Sequence, residues 1–157
     1  MTSLRRTALM SAALAALATA PVASAQDRPV SGGTAGSVQG EGVGVSTSSG
    51  GATDGSSIGV TGTADATAID GTARTDTRAR LNERRATQRS SAYARTDEEM
   101  ARARSRTTVR DGEEVRSRTT TMYRDRDGGP PVRTRECTVS TPEGTVTTDC
   151  RGGPNAS

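Results

Sequence analysis

A mostly disordered, low-complexity chain, with a short charged α-helical middle segment and a small antiparallel β-meander at its C-terminus, is the fold class that the sequence predicts. Three observations lead there. The chain has no Phe and no Trp, while Gly alone accounts for 18 of its 157 residues. Glycine then vanishes between Arg74 and Arg106, where Ala, Arg, Glu and Gln dominate. Beyond about Thr107 the pattern becomes Thr, Val and Arg punctuated by turn signals.

Residues 1–25 read as a cleavable signal peptide. Arg5 and Arg6 form a positive n-region, Thr7 to Ala20 is uncharged and rich in Ala and Leu, and Ala23-Ser24-Ala25 gives the small-x-small cleavage pattern. Cutting between Ala25 and Gln26 leaves 132 residues with no membrane span. The expected location is therefore periplasmic or secreted. The Arg5-Arg6 pair leaves the twin-Arg route open beside the general one.

Residues 26–73 are Gly, Ser, Thr, Ala and scattered Val, and are expected to be a disordered arm. Alternating stretches such as Gly42–Gly51 and Ile58–Asp65 would also suit thin strands of a solenoid, but no fixed period is present to stack one. The mature chain has ten Val and only one Leu, Leu81. Burying a Val or Leu contributes roughly 1.5–3 kcal/mol, against about 1–2 kcal/mol of backbone entropy per ordered residue. On that balance most of the chain is expected to stay unfolded.

Residues 74–106 are expected to be a charged helix, because Ala, Arg, Glu and Gln are strong helix formers. Thr96-Asp97-Glu98-Glu99 matches a capping box, and Glu98 with Arg102 forms an i,i+4 pair. Upstream, Arg74, Arg78, Arg85 and Arg89 would crowd one helical face, which makes them the candidate anion contacts. Residues 74–135 hold 17 Arg and 10 acids. Interspersed acids should neutralise such a segment, leaving weak polyanion binding.

Residues 107–151 are expected to be a disulfide-stapled meander of about four strands. Arg104–Thr108 recurs as Arg116–Thr120, and the intervening Asp111-Gly112 is a hairpin signal, so the echo reads as two arms of one hairpin. Asp125–Pro131 and Thr141-Pro142-Glu143-Gly144 supply further turns. Cys137 and Cys150 are the only cysteines and flank the last turn. A structural disulfide is favoured over a redox pair, which usually has C-x-x-C spacing. A four-residue loop would set the two Cys directly opposite, whereas a two-residue loop would offset them. Residues 152–157 form a disordered tail.

The chemistry of the chain argues against an enzyme. It has no His, the commonest general base and metal ligand, and no Lys, so a P-loop is impossible. The glycines around Gly40 fail G-x-G-x-x-G at Val45, and the acids near Asp125 fail an EF-hand loop at Gly129 and Pro130. No cofactor, metal or catalytic residue is expected. The function expected is a small exported non-enzymatic protein of a bacterial envelope, acting by structural presence or protein interaction. The alternative is a binder of lipopolysaccharide, acidic polysaccharide or DNA through the Arg-rich middle segment.

Overall fold

The computed structural model describes residues 29–54, 57–110, 114–148 and 150. These form nine strands, β1 (Val30–Gln39), β2 (Val43–Thr53), β3 (Ile58–Ala68), β4 (Thr72–Asn82), β5 (Arg85–Arg95), β6 (Glu99–Arg110), β7 (Glu114–Asp125), β8 (Val132–Thr141) and β9 (Gly144–Thr148). No helix occurs among the described residues. All pairings are antiparallel between consecutive strands, except that β3 and β4 part company. The result is a three-stranded sheet, β1-β2-β3, and a six-stranded sheet, β4 to β9. The turn at Asp70 and Gly71 carries the chain from one sheet to the other, and Asp70 takes the left-handed conformation (φ 52°) that Asp tolerates better than most residues. The small sheet then packs on the large one, with β1 over β7, β2 over β6 and β3 over β5.

This architecture overturns the expected fold class in two places. The segment expected to be a disordered arm forms β1, β2 and β3. The segment expected to be a charged helix forms β4, β5 and most of β6. Nor is the C-terminal meander a small unit of its own, since β7, β8 and β9 continue a sheet that β4 begins. The signal peptide, its Ala25–Gln26 cleavage point, the Asp111-Gly112 turn and the tail lie outside the described residues.

The physical reason for the helix error is periodicity. In β5 every second residue from Ala86 to Ala94 is buried, and in β6 the same holds from Ala101 to Val109. An Ala-Arg-Ala-Arg alternation gives a strand one small face and one charged face. Wound into a helix, the same residues would scatter Ala and Arg around the whole circumference and bury nothing. The capping box illustrates the point. Glu99 N–H does donate to Thr96 Oγ1 at 3.0 Å, and Thr96 N–H donates to the Glu99 carbonyl at 2.9 Å. Together these bonds close the tight turn from β5 to β6 rather than start a helix.

The disorder error has a different cause. The expectation assumed that only large apolar side chains can hold a core. Here the core is Val30, Val43, Val45, Val109 and Val115 with Ala86, Ala92, Ala94, Ala101 and Ala103, interleaved with buried Ser and Thr. Hydroxyls bridge the sheets as they are buried. Thr107 Oγ1 donates to Ser49 Oγ at 2.8 Å, joining β6 to β2, and Thr119 Oγ1 donates to Thr34 Oγ1 at 2.6 Å, joining β7 to β1. Small residues also let the layers approach closely. A Cβ on Gly51 would stand 2.5 Å from Val109 Cγ2 and 3.1 Å from Thr107 Cγ2.

One carboxylate ties the end of the sandwich. Glu99, at the start of β6, accepts from Gly42 N–H at 2.6 Å, from Glu41 N–H at 3.2 Å and from the Tyr123 hydroxyl of β7. It thereby joins the β1–β2 turn to the large sheet. Partial burial pushes its carboxyl up, but these hydrogen bonds outweigh burial and hold it below the ordinary carboxylate value.

Two measurements check this account. Gly51→Ala should cost about 1–3 kcal/mol in denaturant unfolding through overpacking. Gly59→Ala, whose new methyl meets nothing within 4 Å, should cost nothing and stabilise by up to about 1 kcal/mol. Because the folded-state pKa of Glu99 is depressed, its contribution is fully present above the unfolded value near 4.3 and is lost as pH falls through the folded value. Glu99→Gln should therefore lower stability by about 1–2 kcal/mol at pH 7, with the difference from wild type shrinking below pH 4.

Candidate polyanion-binding face

Strand alternation sends every second residue of β4 to β8 away from the small sheet. Register then arranges these residues in rows. Arg78, Arg89, Arg106 and Arg118 stand directly opposite one another across four consecutive strands, and Cys137 of β8 ends that row. Along β6, Arg102, Arg104 and Arg106 follow at alternate positions, with Arg110 beyond. Arg74, Arg80, Arg85, Arg95, Arg116, Arg124, Arg133 and Arg135 complete the same face. All fifteen arginines in these strands therefore project from one side of the sheet.

Among the described residues only two acids share this face, Asp76 and Glu114, leaving a surplus of thirteen positive charges. Each pairs within its own strand. Asp76 holds Arg78 at 3.0 Å, and Glu114 holds Arg116, with an Arg116 Nη2–Glu114 Oε2 hydrogen bond of 2.7 Å. The latter contact raises the Arg116 pKa. The other described acids of the region stand elsewhere. Glu83, Asp97, Glu98 and Asp127 fall in turns, and Glu99 and Asp125 lie on the inward side at strand ends. Alternation therefore sorts the two signs in space although they mix in sequence.

The arrangement works against folding. Like charges directly opposite on neighbouring strands are destabilising, on a scale of about 0.2–1 kcal/mol per pair. Arg106 sits at the crossing of the richest row and the richest strand, and burial followed by the charges of Arg89 and Arg85 pushes its pKa down. A row of four arginines is thus a cost that the fold carries, and a bound anion would relieve it.

The four arginines expected as anion contacts do share a surface, but not a helical one. Arg74 and Arg78 lie on β4, Arg85 and Arg89 on β5, with Arg78 opposite Arg89. Helical spacing could not have found the other eleven. The signal that finds them is the period-two run from Arg102 to Arg106 and its partners at Arg116 and Arg118. Those partners are explained by the sequence echo: its two copies are the two arms of the β6–β7 hairpin, with Arg104 opposite Thr120 and Thr108 opposite Arg116.

Cys137 and Cys150 are disulfide-bonded, with Cα atoms 5.2 Å apart. The loop between their strands is the shorter alternative, because Thr141 pairs with Gly144 around Pro142 and Glu143. Cys137 therefore faces Thr148, and Cys150 reaches it from two residues further on. The bond fastens β9, the short outer strand, to the end of the arginine row. Among the described residues no group of three or more His, Cys, Asp or Glu is placed to hold a metal ion.

Replacing both cysteines by Ser should lower stability by about 3 kcal/mol, as expected for opening a loop of this length. Hydrogen exchange should show the loss first in β8 and β9; unchanged protection there would mean that the hairpin holds without the bond. Comparison with known proteins finds no matching family model, no matching curated protein and no matching solved structure.

Proposed function

We propose that this is an exported, non-enzymatic protein that binds polyanions through the arginine-covered face of its large sheet. One observation carries the reading: fifteen arginines and two acids occupy a single sheet face, in a register that sets four arginines directly opposite one another. Guanidinium groups suit this task because they remain charged, bind phosphate, sulfate and carboxylate with two parallel hydrogen bonds, and shed water readily. Export rests on the leader-like residues 1–25, and the absence of His supports the non-enzymatic assignment. A role by structural presence or protein interaction alone would leave the like-charge rows without a purpose.

Salt dependence tests the reading. Binding to a short DNA duplex should weaken linearly in log K against log salt, with a slope near −0.9 for each phosphate neutralised. Arg89→Gln/Arg106→Gln/Arg118→Gln should flatten that slope by about 3 units. Arg84→Gln/Arg126→Gln, both in turns, should leave it unchanged. Binding that is absent at low salt, or equally affected by both sets, would overturn the proposal in favour of a role by structural presence or protein interaction.

A further inference from the structure

The arginines are spread in two dimensions, and this has consequences for the shape of the anion they meet. Resting on the polyanion reading above, we infer that the physiological target is a surface of anionic lipid headgroups, on which the large sheet lies face down.

The first argument is coverage. The face spans five strands at about 4.8 Å spacing and six rows about 6.7 Å apart, roughly 19 by 33 Å. Each of the five strands carries at least two of the fifteen arginines, and so does each of the six rows. A linear polyanion laid across the strands meets the four of one row, Arg78, Arg89, Arg106 and Arg118. Laid along β6 it meets Arg102, Arg104, Arg106 and Arg110. Either path leaves most of the charge unused. An array of headgroups, which repeats in both directions, meets all of it.

The second argument is chemical. The largest apolar side chains of the face gather towards one end of its central strands, around Arg102. Tyr93 stands opposite Arg102 on β5, Met122 stands opposite it on β7, and Met100 precedes it by two on β6. Phosphate or sulfate on a soluble polymer gains nothing from this group. At a bilayer, Tyr settles at the headgroup level and Met reaches the acyl boundary, adding an apolar term to the electrostatic one.

The third argument is sidedness. The opposite surface of the molecule, the outward side of β1 to β3, presents Ser, Thr, Gly, Ala and Gln39, and its only charged residue is Asp65. A molecule with one strongly cationic face and one neutral hydrated face has a single preferred way to lie on an anionic plane.

Co-sedimentation of the disulfide-intact protein with vesicles tests the inference, with heparin binding measured in parallel. Vesicles of phosphatidylglycerol and phosphatidylcholine should carry the protein down, and pure phosphatidylcholine should not. Each arginine neutralised should lower partitioning by about fivefold. Arg80→Gln/Arg116→Gln, outside the central row, should therefore count as much as Arg89→Gln/Arg106→Gln. Met100→Thr/Met122→Thr should lower vesicle partitioning by about tenfold while leaving heparin affinity intact, which also shows that the variant is folded. Heparin binding without vesicle binding, or a heparin affinity that depends on the central row alone, would overturn the lipid inference and leave a linear polyanion as the target. Binding to neither would overturn the polyanion reading as well.

Discussion

Where β2 crosses β6, Gly51 makes room for the Val109 side chain and Ser49 accepts a hydrogen bond from Thr107. That interlock sets the separation of the two sheets, and the rest of the molecule follows from it. With no side chain larger than Val along most of the seam, dispersion contacts come from many short approaches rather than from a few large groups. Some of the Ser and Thr hydroxyls buried there pair with one another, and Thr107 finds two partners, Ser49 across the sheets and Ser117 beside it. The core is thus both close and polar. It excludes Phe or Trp for steric reasons, in keeping with a chain that contains neither.

The same constraint fixes the outer face. With mostly small residues at every second position of β5, β6 and β7, the intervening positions are free of the core and can carry any side chain. In this chain they carry arginine. Charge on that scale disfavours compaction, yet the inward faces of these strands hold no arginine. The fold therefore pays a surface cost without disturbing its seam.

Edges are treated unequally. β4 is exposed on both sides and carries Arg74, Arg78 and Arg80, while β9 is short and held by the disulfide. Charge and brevity are both devices that discourage strand-to-strand pairing with another chain. β4 also extends past the small sheet, so its inward Leu81 stays 63% exposed. Its contribution is less to the core than to the width of the arginine face.

By itself the sequence determined the leader-like start, the cysteine pair and its bond, the turn at Pro142 and Glu143, the hairpin arms at Arg104–Thr108 and Arg116–Thr120, and the excess of arginine. These are local properties, carried by residue type and short spacing. It misled over residues 26–106. Ala and Arg favour a helix when judged singly, and Gly and Ser favour disorder, because propensity counts residues and ignores what faces them. Only the tertiary structure decided that β2 would lie over β6, so that Val43, Val45, Ala101 and Ala103 could bury one another. That pairing converts a two-residue alternation into an inside and an outside. The arginine face exists for the same reason: fifteen positions scattered over 62 residues, from Arg74 to Arg135, meet on one surface only after register has aligned five strands.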